Sequence, residues 1–428
     1  MDKSFDAIVV GGGSAGLSFA RTAADLGAHV ALIEPGPIGG TCANRGCVPK
    51  KLLWDAAWRH VQRGLLPGEA ASAPSFDALQ SAIGTKIQTI RTAYEKDLVR
   101  LGIHRLHEAA TLHPDGRVEV AGDRLKARHV VLATGARPGT LDLPGAEHTL
   151  TSDDVLAADR LPSSAVFLGA GYIGCELAGI LAALGVKVSI VDPSERILDG
   201  FDADLAAAAL AILKERGIAV HLDAKPDGIS AGDDGCGVHL EDGGRVDADW
   251  VVNATGRTPN LDRLGPLGAK LVTGRNGALA VDSHFCTSVP GLHAIGDVAD
   301  LLPLTPVATR DGETLARQLF ASEPAERIDL SLVATAAFVM PPVAQVGEIG
   351  QGKAAIGQDL AEIALAPEGH WSTRTLQKIA ADGANLAGVA LMSGAAAEMI
   401  APFAALVAQD RVAATGVHPT FGEELICR

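Results

Sequence analysis

Aromatic side chains are scarce in this chain: ten Phe, four Trp and two Tyr make up 4% of 428 residues. Cysteine is also sparse, and of the six present only Cys42 and Cys47 lie close together. That spread excludes a small scaffold stapled by disulfides and is compatible with a reducing compartment. No apolar run of about 20 residues escapes a charge, a Pro or a Gly, so no segment reads as a membrane span. Positive charge is in deficit, with 36 Lys and Arg against 51 Asp and Glu, a net charge of −15. A chain so acidic is not built for non-specific contact with nucleic acid or an anionic membrane. Glycine is plentiful at 49 residues, apolar residues make up 47% and charged ones 20%. This is the composition of packed α/β units rather than of a disordered chain. The length allows about two to four domains.

The run Ala7-Ile8-Val9-Val10 stops at Gly11-Gly12-Gly13, so it is expected to be a strand and not a signal peptide. It opens a pattern that occurs twice. The first copy runs through residues 7–10, then Gly11-Gly12-Gly13-Ser14-Ala15-Gly16, a helical stretch, and residues 29–33 ending at Glu34. The second runs through 165–168, then Gly169-Ala170-Gly171-Tyr172-Ile173-Gly174, a helical stretch, and 186–191 ending at Asp192. Each reads as strand, tight turn, helix, strand and terminal acid, which is the dinucleotide-binding pattern. Gly11 and Gly169 permit the turn, Gly13 and Gly171 let the backbone approach a pyrophosphate, and Gly16 and Gly174 let helix pack on strand. The helix N-terminus then faces the phosphates with free N–H groups. Glu34 and Asp192 are placed to accept from ribose hydroxyls. Two such units imply two dinucleotides in one polypeptide.

Between the copies lies Gly39-Gly40-Thr41-Cys42-Ala43-Asn44-Arg45-Gly46-Cys47-Val48-Pro49-Lys50. Two cysteines with four residues between them can close a redox-active disulfide, a structural bridge or half of a zinc site. The run closely resembles the active-site segment of the FAD-dependent pyridine nucleotide-disulfide oxidoreductases of class I, and most of all their glutathione reductase-like members. The resemblance extends to 133–138 and 254–260 as crossover segments and to His293-Ala294-Ile295-Gly296-Asp297-Val298, whose Asp297 matches the aspartate on the flavin ribityl chain. From Phe338-Val339-Met340-Pro341-Pro342 onward the chain resembles the family's dimerisation domain.

What the resemblance implies is an α/β fold with two Rossmann-like domains, for FAD and NAD(P)H, and an α+β C-terminal dimerisation domain. The expected boundaries are 1–148 and 265–330 for the two parts of the FAD domain, 149–264 for the NAD(P)H domain and 331–428 for the interface. Gly40, Thr41, Thr134, Gly135, Ser14, Gly256 and Thr305 join the expected cofactor contacts. Thr305-Pro306 reads as a helix start, with Thr as N-cap and Pro in the first turn, and the family sets this end against the flavin. Cys47 matches the flavin-proximal thiol and Cys42 the thiol that attacks the substrate. His418-Pro419-Thr420-Phe421-Gly422-Glu423 matches the terminal catalytic segment. There His418 is the acid/base and Glu423 its orienting carboxylate. In the family this histidine serves the other subunit's disulfide, which implies a homodimer. Lys50 and Glu176 match an ion pair beside the flavin, and Tyr172 matches a residue covering the nicotinamide pocket. No metal site is expected, and the setting implied is cytoplasmic.

Ser14, Arg21 and Tyr94 match glutathione-reductase-like positions around the disulfide substrate, where Arg21 would bind a carboxylate. Glu313 departs from that pattern, since a second arginine is usual there. Phe421 replaces a small residue, and Trp54, Trp58 and Trp371 offer further aromatic surface. Acid and aromatics together suit a cationic or zwitterionic disulfide such as ergothioneine disulfide. Cys175 is expected in the core, and Cys427 as an incidental thiol. NADH is expected over NADPH, although NADPH remains possible. Asp192 would repel a 2′-phosphate, and Pro193 and Asp199 stand where NADPH enzymes carry arginines. Arg196, free to pair with Asp192 or Glu195, and Lys187 are the nearby cations. Two alternatives stay open. One is dihydrolipoamide dehydrogenase, against which stand Arg21, Tyr94 and the match of residues 90–98 to the glutathione reductase pattern. The other is a flavin-binding signalling or interaction protein without disulfide turnover.

Overall fold

Residues Lys3–Val10 carry apolar side chains on both faces and form a strand whose Ala7, Ile8 and Val9 are fully buried. A strand buried on both faces belongs at the centre of a parallel sheet. It pairs in parallel with Val30–Ile33 on one side and with Asp123–Leu132 on the other. His104–Leu106 extends the first edge, and Leu292–Ala294 pairs in parallel with the end of Asp123–Leu132. An antiparallel pair, Ala110–Leu112 and Val118–Val120, continues from the start of Asp123–Leu132 and completes a seven-stranded sheet.

The computed structural model of the protein describes residues 3–64, 74–113, 117–232, 235–274, 277–299, 302–323, 325–350, 353–358, 374–382 and 385–407. His418, Phe421, Glu423, Cys427 and Trp371 lie outside the described residues. The chain divides into two units, residues 1–50, 81–139 and 257–328, and residues 51–80, 140–256 and 329–428.

In the first unit, the helix Ser14–Asp25 lies along the helix Thr305–Phe320. The contact is close because Gly312 has no side chain: a Cβ there would overlap Ala15 and Phe19 backbone. Ser18 adds a hydrogen bond from its hydroxyl to the Thr309 carbonyl, 2.7 Å. The crossover segments 133–138 and 254–260 meet as well. Ala136–Pro138 and Arg257–Pro259 form a two-stranded antiparallel ribbon. Beside it Asn260 donates from its backbone to Gly135 and from its side chain to Thr134, at 2.9 and 2.8 Å.

The second unit holds a five-stranded parallel sheet in the order Ala219–His221, Lys187–Val191, Ser164–Leu168, Trp250–Asn253, Leu150–Thr151. An antiparallel trio, Pro226–Gly232, Gly235–Leu240 and Arg245–Ala248, packs on it through Val238 and Leu240. Its last part is a five-stranded antiparallel sheet, from Thr335–Ala337 and Val343–Gly347 through Asn385–Met392 and Arg374–Asp382 to Lys353–Gln358. The helix Ala396–Val407 covers it with Ile400 and Phe403. Lys378 of that sheet is buried and pairs at 2.8 Å with both Asp202 and Asp204. Two carboxylates around one ammonium make such burial tolerable.

Candidate active site

The two glycine turns have the same hydrogen bonds. Gly11 and Gly169 sit at φ +113° and +110°, in a region that favours glycine. A side chain on either would strike the Ala133 or Ala254 carbonyl across the strand end. A Cβ at Gly16 or Gly174 would overlap the carbonyl oxygen of Gly11 or Gly169 in the same way. Glu34 accepts from the N–H of Gly12 and of Gly36, both at 2.8 Å. Asp192 accepts from Ala170 at 2.6 Å and Ser194 at 2.7 Å. Each acid therefore ties the strand end to the glycine turn. The helices that follow start at Ser14 and Tyr172 after Gly13 and Gly171, and no side chain caps either. Their first N–H groups thus face outward from a glycine backbone, which is the cradle a pyrophosphate needs.

The Cys42 segment packs on the first of these turns. Gly40, at φ +58°, faces Gly13 so closely that a Cβ would stand 2.6 Å from its Cα. Gly40–Arg45 is a short helix bearing Cys42, and Cys47 begins the helix Cys47–Gly64. Asn44 clamps the segment, donating to the Pro37, Ile38 and Gly40 carbonyls at 3.1, 3.1 and 2.9 Å. Arg91 of the helix Phe76–Arg100 in turn donates to Asn44, 2.6 Å.

The two thiols differ electrostatically. Cys47 is exposed, and its Sγ lies 3.4 Å from the Thr305 hydroxyl. The Cys42 thiol donates to it, the Thr305 hydroxyl does likewise, and the Lys50 ammonium is near. Together they hold Cys47 down to about 6. Cys42 is driven the other way, by the bond to Cys47 and then by burial. The reduced pair thus keeps a thiolate on Cys47 and a proton on Cys42.

Thr305 is the first residue of its helix, after Leu304 as N-cap, and not the cap itself. No side chain caps this helix, and the Thr305 hydroxyl is directed to Cys47 instead. Thr305→Val removes that donor, so the Cys47 thiol should titrate at a higher pH. The pH dependence of its alkylation rate in reduced enzyme would show the shift, and an unchanged profile would count against Thr305.

Asp297 sits in the turn Gly296–Val298, where burial pushes its carboxyl up and Arg257 opposes the shift. Arg257 also donates to the Ala136 carbonyl, 2.5 Å, and to Thr41, 3.5 Å. Asp311 accepts from the Gly296 N–H, and burial pushes its carboxyl up to about 6. Arg91, Arg257 and Asp311 were not marked by the sequence, because each acts on a partner distant in the chain; Asn44 was passed over although its carbonyl partners are only four to seven residues away.

Glu176 is 4% exposed and accepts from the Phe338 N–H at 2.7 Å. Lys50 lies one turn beyond Cys47 on the same helix. Tyr172 is 43% exposed, so it is not a core aromatic. Cys175 is fully buried, as expected, and donates to the Ala170 carbonyl.

Two expectations need correction, on the tryptophans and on Arg196, and a third residue, Glu313, gains a partner. Trp54 and Trp58 offer no surface: they are 3% and 6% exposed and stack on each other, with Trp54 edge-on to Phe338. Apolar contact with Phe338 is available on the inner face of that helix, so the rings turn inward. Glu313 does not stand alone, since it pairs with Arg310 at 2.9 Å, one turn earlier on its helix. Arg196 pairs with Asp199 at 3.1 Å, and not with Asp192 or Glu195. Asp192 already has both carboxylate oxygens engaged by backbone N–H groups.

Among the described residues no group of His, Cys, Asp and Glu could hold a metal ion, and no helix is long and apolar enough to cross a membrane. The pyridine nucleotide-disulphide oxidoreductase family matches residues 5–312. A glutathione reductase of Burkholderia cepacia is 34% identical, covering 99% of this chain and 98% of its own. One from Nostoc sp. is 31% identical over 100% and 99%. Among solved structures, the HOCl-induced flavoprotein disulfide reductase RclA from Escherichia coli superposes with a TM-score of 0.86 at 25% identity, covering 98% of each chain. Its Cu(II) complex gives 0.87, also at 25% identity, over 99% of this chain and 98% of that one. With the paired thiols and two nucleotide turns, these similarities place the chain in the pyridine nucleotide-disulphide oxidoreductase family, as a flavoprotein disulfide reductase related to glutathione reductase.

Proposed function

We propose that the enzyme uses NADH to reduce a low-molecular-weight disulfide, working as a cytoplasmic homodimer. The observation that carries this reading is the Cys42 segment packed on the first glycine turn, with the Cys47 Sγ 3.4 Å from the Thr305 hydroxyl at the start of its helix. The domain division proposed is FAD at 1–148 and 265–330, coenzyme at 149–264 and interface at 331–428.

FAD, when bound, links a two-electron hydride donor to a dithiol. The residues for holding it are the Gly11, Gly13 and Gly16 turn, Ser14, Glu34, Gly40, Thr41, Thr134, Gly135, Asp297 and Thr305. Side chains are excluded at Gly11 and Gly16, Gly13 keeps open space before the helix, and that helix starts uncapped, so the residues present fit such a group. The second turn, at Gly169, Gly171 and Gly174 with Asp192, offers the same fit to the coenzyme; Tyr172 and Gly256 complete its contacts. Lys50 favours the Cys47 thiolate, and Glu176 is proposed to hold the Lys50 ammonium.

The sulfur chemistry follows from the two thiols. Cys42 keeps its proton beside the Cys47 thiolate, so it needs a base before it can attack. His418, oriented by Glu423 and supplied by the partner subunit, is proposed to take that proton. Cys42 sulfur then bonds to one substrate sulfur, and the other leaves as a thiolate that receives the proton from His418. The Cys47 thiolate attacks the Cys42 sulfur, restores the Cys42–Cys47 disulfide and releases the second substrate sulfur as a thiolate, which takes its proton from solvent. The two electrons that reduce the substrate come from this thiol pair.

NADH is proposed because three features near Asp192 disfavour a 2′-phosphate, leaving Lys187 as the nearby cation. Asp192 is itself anionic, Pro193 offers no cation, and Arg196 is occupied by Asp199. Like charges set side by side cost on the order of several kcal/mol, so kcat/KM should favour NADH by at least about tenfold. Steady-state rates with both coenzymes at one disulfide concentration test this, and a preference for NADPH would refute it. A panel of glutathione disulfide, lipoamide and ergothioneine disulfide identifies the thiol. Turnover of none of them would leave a flavin-binding protein of another function.

A further inference from the structure

Arg21, expected to bind a substrate carboxylate, already faces a carboxylate of this chain. Its Nε lies 2.8 Å from Asp97 Oδ2, and its guanidinium lies over the Tyr94 ring, 4.9 Å from the centroid. Asp97 is fixed from behind, because its other oxygen accepts from Arg100 Nε at 3.1 Å and from the Arg100 terminal nitrogen at 2.6 Å. Tyr94 and Asp97 are three residues apart on the helix Phe76–Arg100 and so share a face. The Tyr94 ring also touches the Cys42 segment, since a Cβ on Gly39 would stand 3.2 Å from it. Arg21 is thus tied, through one aromatic ring, to the loop that presents the attacking thiol. Glu313 is closed off similarly by Arg310.

We propose that Asp97 is a specificity-determining residue: by holding Arg21 in a closed ion pair it turns the site against disulfides with a free carboxylate and toward neutral or internally compensated ones. The proposal rests on the small-disulfide reading above, with substrate reaching Cys42 past Arg21 and Tyr94. An incoming carboxylate must share a guanidinium already opposed by Asp97, and it meets the Asp97 charge at the same place. A neutral disulfide, or a betaine thiol disulfide with its own ammonium, meets no such opposition.

The test compares kcat/KM for glutathione disulfide, which is anionic, with that for 2-hydroxyethyl disulfide, which is neutral. All measurements use FAD-loaded enzyme, so a variant that fails to fold drops out of the comparison. In Asp97→Asn the ratio of glutathione to hydroxyethyl turnover should rise by up to about fivefold, the upper end for freeing a partly exposed ion pair. Adding Arg21→Met should cancel the rise, and Asp97→Glu should keep the wild-type ratio. An unchanged ratio in Asp97→Asn, or a rise that survives Arg21→Met, would overturn the proposal. If wild-type enzyme turns over neither disulfide while NADH still reduces its flavin, the small-disulfide reading falls and takes the proposal with it.

Discussion

Cys47→Ser enzyme should bind FAD and accept electrons from its coenzyme yet lose disulfide turnover by more than about 10³-fold, the scale typical of a lost nucleophile. The group lost is a thiolate held down to about 6 by Cys42, Thr305 and Lys50. Cys42→Ser should be equally inactive but differ in its spectrum. Its Cys47 has no disulfide partner and should show a thiolate–flavin absorbance band without added reductant. With the serine hydroxyl standing in for the Cys42 donor and Thr305 and Lys50 in place, the band should appear as pH rises through a value below the ordinary thiol range, since the thiolate forms above its pKa. Cys42→Ala removes the principal donor to that thiolate, so the same band should require a higher pH. Absorbance titration of the purified variants checks all of this. Wild-type disulfide turnover in either serine variant would dismiss the exchange mechanism.

His418→Ala should lose turnover by roughly 10²–10⁴-fold, the usual worth of a general acid/base, while reduction of the flavin by coenzyme continues. Cys42 explains the dependence. Its proton is held by the neighbouring thiolate and by burial, so attack without a base is slow. Subunit mixing tests where the base comes from. Hybrids of His418→Ala with Cys42→Ser subunits contain one site with an intact thiol pair and an intact histidine. They should regain activity that neither parent has. Hybrids shown to form but remaining inactive would mean that each subunit uses its own histidine.

The features legible in the sequence are those whose chemistry is local. The two glycine turns could be read because a positive φ and an excluded Cβ restrict residue type at fixed spacing, as at Gly11 and Gly16. The terminal acids Glu34 and Asp192 followed from the same spacing, and both bond back to their own turns. Partnerships across the fold were not legible. Nothing in the order of residues says that Asp97 meets Arg21, or that Arg310 rather than substrate answers Glu313. Trp54 and Trp58 were misjudged for a related reason. They share a helix with exposed polar residues, and only the position of Phe338 decides which face turns inward. The Thr305 helix start was read one residue late, because a hydroxyl suited to capping is used on a thiol almost 260 positions away.

The ribbon of Ala136–Pro138 with Arg257–Pro259 sets Pro138 opposite Arg257. The chain therefore leaves the first unit and returns to it at neighbouring points, with residues 140–256 as the excursion between them. Partners across an antiparallel pair have Cα atoms only about 5 Å apart. A short turn of Gly and Asn could bridge that gap in place of the whole excursion. The ends of the excursion are thus set by the host, while its interior is tied to residues 329–428 by Lys378 on Asp202 and Asp204 and by Phe338 on Glu176. A segment transplanted at this ribbon would join the chain with little strain and would still need to bring, or match, those partners.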